Sequence, residues 1–395
     1  MQTEVAIASL LAWLGLLAYR IGVSRSKNSV STATRAVCGL IVAALAFWAL
    51  GEALLFQHSN SFIGLRYELL IGWHAPPATL VFPLAALALA AGIAEASLTE
   101  RGTFFAAMLS TAAIAIVILP IGWFWAWYGW LHDLGFIDDA GACWLHVSAA
   151  VWGGVGAWML GSRSGKHNKD GSVNAIPGHN IPLAAIGIGT MFIGQLFLVA
   201  AATLVGGFPE NVGDKIGSTI LAAAAGGAAG MIITRYRYGK PDIMVVLGSF
   251  LGGAIATAAG SFSPPAAIVV GFIAGMLIPM AASSLDLRLA IDDPTGGITL
   301  HGIAGAWGTL AAGIFSVGSA SKRLHAVGIQ ALGIIAIGGG AAVIAILTFA
   351  ALRAAGRLRV READEIEGLD LAEHDIAAYP DFQQNTIRSY HLREA

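Results

Sequence analysis

The chain has 395 residues, 56% of them hydrophobic and 12% charged, with a formal net charge of −2. Soluble domains carry about 25% charged residues, so this composition excludes an ordinary water-soluble globule and indicates a polytopic membrane protein in contact with lipid. The near-neutral balance gives no footing for nucleic acid, and Cys38 and Cys143, both in or beside apolar runs, form neither a disulfide framework nor a zinc spacing.

A bilayer-crossing helix needs about 20 mostly apolar residues. Eleven runs meet that need, centred near Trp13, Ala46, Ala85, Ala115, Ala150, Ile193, Ala225, Gly252, Gly271, Ala306 and Ala341. The expected fold class is therefore all-α, with eleven transmembrane helices. The first run, Val5 to Tyr19, lacks a basic leader and a convincing cleavage site, so it reads as a span and not as a signal peptide. The 50 glycines, mostly inside apolar runs, suit close packing of membrane helices.

Near the third span, His74 reads as an interfacial residue. At the end of the fourth, Trp123, Trp125, Trp127 and Trp130 crowd together, and most of them fit an interfacial aromatic belt. Gln195 places a polar amide inside the sixth span, where it needs a partner from a pore or a subunit contact. Loops after spans one, three, five, seven and nine hold Arg20, Arg25, Lys27, Arg35, Arg101, Arg163, Lys166, Lys169, Arg235, Arg237, Lys240 and Arg288. The other loops hold only Arg66, Lys215, Lys322 and Arg323. That bias sets the N-terminus outside and the C-terminus inside. After residue 352 the apolar pattern ends, and residues 353–395 form an acid-rich cytoplasmic tail.

One stretch occurs twice. Asp138 to Gly153 reads DDAGACWLHVSAAVWG, and Asp293 to Gly308 reads DPTGGITLHGIAGAWG. Each copy sets an Asp eight residues before a His, Asp138 before His146 and Asp293 before His301, and each continues H-x-x-A-x-x-W-G. The histidines fall five spans apart, and an odd shift reverses direction through the membrane. This pattern marks an inverted repeat, of about residues 1–165 and 178–320, with a substrate site where the halves meet. A strap helix over about 325–352 stands outside it. Neutral imidazoles both donate and accept hydrogen bonds, which suits two facing rings in a dry passage better than a helix-packing contact. Two histidines without a third ligand make a poor metal site, so no metal or cofactor is expected. Asp138 and Asp293 each stand before a helix start, where a carboxylate caps backbone N–H groups. No nucleophile, base and oxyanion constellation accompanies the histidines, so no enzyme is expected.

These residues resemble the ammonium transporter (Amt/Mep/Rh) family, on its bacterial Amt side. The likeness runs through GLLAYRIGVSRSKN (Gly15–Asn28), GIAE (Gly92–Glu95), both His stretches, HNIP (His179–Pro182) and the tail segment EGLDLAEHDIAAYP. What the resemblance implies is a homotrimer in the inner (plasma) membrane with one narrow apolar pore per subunit. It carries ammonium or ammonia, with cation capture in an outer vestibule and loss of a proton before conduction. The family's twin pore histidines map onto His146 and His301, its recruitment-site carboxylate onto Asp138, and its vestibule Trp, with a one-residue gap, onto Trp127. Without gaps, its two gate Phe positions fall on Val81 and Leu198, its vestibule Ser on Ala202 and a nearby Trp on Gln195. Phe82 and Phe197 are each one residue off, and one residue turns a helical side chain by ~100°, so an unshifted helix aims them elsewhere. The tail's likeness implies a PII-type signal protein as partner. Because the gate positions depart from the family pattern, a non-conducting ammonium sensor reporting through the tail, or a channel for another small neutral molecule such as methylamine or carbon dioxide, stands as the alternative.

Overall fold

The computed structural model describes residues 2–56, 60–64, 77–207 and 209–380; His74 and Arg66 lie outside the described residues. Among these residues the regular structure is helical, apart from two isolated bridges, Gly102 to Arg359 and His167 to Val173. Among the described residues, nine helices are long and apolar enough to cross a membrane. They are α1 (Gln2–Val23), α2 (Ser26–Phe56), α3 (Ala78–Ala96), α4 (Phe104–Asp133), α5 (Ala142–Leu160), α6 (Ile181–Val205), α7 (Val212–Tyr238), α9 (Pro264–Arg288) and α11 (Ala320–Ala354). Between them stand a shorter apolar helix, α8 (Ile243–Ala259), and α10, which runs through Gly297–Ile303 and Ala304–Ile314. The chain is an all-α polytopic membrane protein.

Small residues set the helix contacts. At Gly194 of α6 an added Cβ would stand 1.9 Å from the backbone nitrogen of Ala12, so α1 and α6 meet backbone to backbone. Only glycine permits that approach, as expected where apolar surface gains nothing by leaving lipid and packing must come from close contact. Helix α11 lies against both α5 and α10. It begins at Ala320, about one turn before the expected strap boundary, because the Ser319 hydroxyl accepts from the Lys322 N–H and starts the helix there.

Trp123 stands apart from an aromatic belt. Trp123 is 2% exposed and stacks on Trp144, with ring centroids 4.3 Å apart and planes 15° apart. The α4 face bearing Trp123 turns into the protein, where a large ring fills interior volume that lipid does not reach.

The described part of the tail also differs from a free soluble extension. Two short helices, α12 (Glu362–Glu367) and α13 (Leu369–His374), lie on the helix ends. The Glu365 carboxylate accepts from the Ser164 N–H at 2.6 Å, Asp370 from the Ser31 N–H at 2.7 Å, and Glu373 from Arg35 at 2.6 Å and the Phe104 N–H at 3.0 Å. Lys27 donates to the backbone carbonyls of Glu365 and Ile366. Beneath them Asp292 takes three hydrogen bonds from Arg163 at 2.7–3.0 Å, with Arg101 3.8 Å away. Burial raises the Asp292 pKa, but the bonds and charges of Arg163 and Arg101 outweigh it and hold the group at about 2. Glu100, similarly buried, is also held below the usual carboxylate range by Arg163 and Arg25.

Candidate transport pathway

Each copy of the duplicated stretch folds in the same way. Gly141 and Gly296 take left-handed conformations, with φ of 87° and 66°, immediately before a π-helical turn over Ala142–Val147 in one copy and Gly297–Ile303 in the other. A left-handed residue before a wide turn suits glycine, which carries no Cβ. The carboxylate three residues earlier closes each turn. Asp138 Oδ2 accepts from the N–H groups of Cys143 and Trp144 at 2.9 and 2.7 Å. Asp293 Oδ2 accepts from those of Ile298 and Thr299 at 3.1 and 3.0 Å, and from the Thr299 hydroxyl at 3.1 Å. These bonds satisfy donors that a helix start leaves open.

Both π-helical turns carry a histidine, and they bring the two together. His146 and His301 are 0% and 2% exposed, their Nδ1 atoms 3.1 Å apart, their rings 7° from parallel with centroids 5.1 Å apart. An Nδ1-to-Nδ1 bond needs one donor and one acceptor, so the two rings carry different protons and are not both imidazolium. His146 Nε2 is buried without a hydrogen-bond partner in the structure. Gln195, 2% exposed, stands beside the His146 ring, and its Nε2 is likewise unpartnered. A subunit contact for Gln195 is therefore not what the fold presents: the amide faces inward, towards the histidines.

At the Asp138 end a cavity of about 370 Å³ is lined by Trp127, Asp138, Ala202 and neighbouring residues. The Trp127 indole donates to the Asp138 carbonyl at 3.0 Å, which fixes its ring, and the Trp144 indole donates to the same oxygen at 3.2 Å. Phe82 packs into this aromatic group, 6.5 Å from Trp127 at 28° and 5.2 Å from Trp123 at 84°. In α3 it is Phe82, one residue from the gapless gate position Val81, that turns into this cluster. Phe82 is 3% exposed and joins the aromatic cluster, whereas Val81 is half-buried beside it on the helix. In α6 the outcome is opposite: Leu198 is fully buried and Phe197 only half-buried. Phe197 does not take the inward position; the smaller Leu198 side chain does.

Trp144 and Lys215 were not singled out from the sequence as parts of this region, and Asp139 was missed as well. Trp144 stands two residues before His146 inside the repeated stretch, a signal that was available. Lys215 had none, because its approach to Asp139 joins distant parts of the chain. Among the described residues no group of three or more His, Cys, Asp or Glu is placed to hold a metal ion.

The comparisons with known proteins agree with this architecture. Residues 4–379 match the Ammonium Transporter Family, and the chain belongs to that family. It is 31% identical to the ammonium transporter Amt2 of Archaeoglobus fulgidus over 93% of this chain and 85% of that protein. It is also 31% identical to the ammonium transporter of Bacillus subtilis over 94% and 96%. Among solved structures, a sensor Amt protein superposes with a TM-score of 0.87 at 31% identity, over 94% of this chain and 97% of that one. Candida albicans Mep2 shares the fold with a TM-score of 0.80 at 22% identity, over 97% and 92%. Membership defines ammonium transport by a multi-helix membrane protein, with no enzymatic step.

Proposed function

We propose that ammonium is captured in the Trp127 cavity, loses its proton there, and passes the His146–His301 pair as ammonia. The observation that carries this reading is the buried Nδ1-to-Nδ1 contact with the Gln195 amide beside the His146 ring. An ion at the bilayer centre costs several kcal/mol, whereas a neutral amine finds both a donor and an acceptor along these rings. The Trp127 face supplies cation–π attraction of ~0.5–2 kcal/mol at the entrance, and Asp138 holds the turn that positions it. The proton follows along the ring pair: the ring that holds the Nδ1 proton takes one up at its Nε2 and passes its Nδ1 proton to the other Nδ1, and that second ring releases its own Nε2 proton on the far side, so both rings end neutral with their tautomers exchanged.

In this reading eleven helices cross the membrane. Residues of about 1–165 and 178–320 are inverted halves, and the Trp127 cavity opens outside. The tail from residue 353 lies in the cytoplasm, where a PII-type signal protein reads it, and the chain assembles as a homotrimer. The matching Asp–Gly–π-turn–His geometry of the two copies supports the inverted halves. A second reading, an ammonium sensor with little flux, is favoured by the inward Leu198 and by the likeness to a sensor Amt protein.

The test is ammonium-evoked current and interior pH in proteoliposomes, with His146→Ala/His301→Ala beside the wild type. Selective flux in the wild type, lost in the double variant, is expected. Undiminished selective flux in the variant refutes the pathway, and ammonium binding without current or pH change in the wild type selects the sensor reading.

A further inference from the structure

Lys215 brings a fixed positive charge into the Trp127 cavity. It stands in the first turn of α7, 9% exposed, and lines the cavity together with Trp127, Asp138 and Ala202. Its Nζ donates to Asp139 Oδ2 at 2.6 Å. The loop bearing Asp139 is pinned, because the Asp139 and Ala140 N–H groups donate to the carbonyls of Ala259 and Ala258 at 3.0 and 2.7 Å. The two neighbouring carboxylates therefore have different surroundings. Asp138 is buried with one oxygen held by backbone N–H groups, while the Asp139 side chain is 36% exposed and holds the lysine.

A protonated lysine is itself an alkylammonium, with the charge and the N–H donors of the ion that the cavity is proposed to capture. We propose that Lys215 is a tethered competitor of ammonium: it occupies Asp139, adds one positive charge to the cavity, and so raises the ammonium concentration at which the cavity fills. This rests on capture at the Trp127 cavity. Freed of Lys215, Asp139 turns its carboxylate to a mobile cation on the rim of the aromatic site. Freed of Asp139, the lysine remains as an uncompensated positive charge that repels one. A simple brace between α7 and the Asp139 loop behaves differently, because breaking it from either side loosens the cavity in the same direction.

The opposite signs make the test. Ammonium chloride is titrated into the purified full-length protein, at low and at high sodium chloride, with tryptophan fluorescence as the binding readout. The half-saturation of ammonium-evoked current is measured in parallel in proteoliposomes. Lys215→Met is expected to lower the half-saturating concentration about two- to fivefold at low salt, shrinking towards the wild-type value at high salt. Asp139→Asn is expected to raise it by a similar factor. Lys215→Arg and the double variant Lys215→Met/Asp139→Asn stay near wild type, and all four are checked for an unchanged elution profile and thermal midpoint. Shifts in the same direction for the two single variants, no shift, or no ammonium binding in any protein overturn the proposal. Binding shifts of opposite sign without any current sustain it while refuting transport, so the two failures are distinguishable.

Discussion

Replacing Asp138 separates a structural carboxylate from one that touches substrate. Its Oδ2 takes two backbone hydrogen bonds, from Cys143 and Trp144, inside a region where Asp138 is 3% exposed. Hydrogen bonds to a charged acceptor contribute about 1.5–3 kcal/mol each, and a buried N–H left without a partner costs about 1–3 kcal/mol. Burying the carboxylate itself is unfavourable and offsets part of that gain. Asp138→Ala removes both bonds and the burial cost together, so a net loss of about 3 kcal/mol is expected. That corresponds to a fall of several degrees in the thermal midpoint. Asp138→Asn keeps an acceptor oxygen of the same shape and loses the charge, so it is expected to cost about 1 kcal/mol. The assay is the thermal midpoint in detergent beside the half-saturating ammonium concentration in proteoliposomes. If Asp138 acts by closing the π-helical turn, Asn retains most stability and most capture, and Ala loses both. A stable Asp138→Asn protein that no longer captures ammonium refutes that argument and assigns the carboxylate a direct contact. Unchanged stability in Asp138→Ala refutes it more directly.

Three other substitutions test the packing around this site and the ionic layer beneath the tail. Phe82→Val removes the ring that packs on Trp123 and Trp127 and is expected to cost about 2–3 kcal/mol and to weaken ammonium capture, whereas Val81→Phe leaves capture unchanged; the same two readouts check this, and the reverse ranking shows the α3 register to be wrong. Asp292 has a folded pKa of about 2 against an ordinary value of 3.8. Its ionised form is therefore favoured in the folded state, a contribution of about 2 kcal/mol that is fully present above pH ~4 and lost as pH falls from there towards 2. Arg163→Met is expected to remove that contribution and flatten this part of the pH–stability profile, measured by thermal midpoints from pH 6 to 2.5; an unchanged slope refutes the assignment.

How much of this was legible in the sequence depended on whether a residue's partner lay in a pattern. The spans were legible because apolar runs report burial in lipid directly. The histidine pair was legible because each ring came with its own Asp, Gly and Trp at fixed spacing, and duplication marks a device used twice. The pattern gave the two copies of the stretch without the way they meet; the 3.1 Å contact needs both π-helical turns, and a turn that wide has no strong residue preference to announce it. The packing of Phe82 was not legible, because counting along an ideal helix takes no account of which of two adjacent side chains a cluster of indoles accommodates. Trp123 was misread for the converse reason, since a Trp near a span end fits a lipid interface and an interior stack equally well until its neighbours are known.

Lys215 and the tail contacts lie furthest from sequence reasoning, because their partners are distant and unpatterned. Asp370 meets Ser31 and Glu373 meets Arg35 across almost the whole chain, and Lys215 meets Asp139 across 76 residues. Such pairs share no spacing rule; the charge bias that ordered the loops counted Lys215 only as one of a minority of basic residues on its side. The Asp–Gly–His framework is common to both copies, so it provides what both need, a closed turn and an inward ring. At the Trp127 cavity, Phe82, Trp123 and Lys215 come from outside the duplicated stretch. The proposed function makes that cavity the entrance, and residues outside the duplicated stretch are where an entrance can be altered without disturbing the paired histidines.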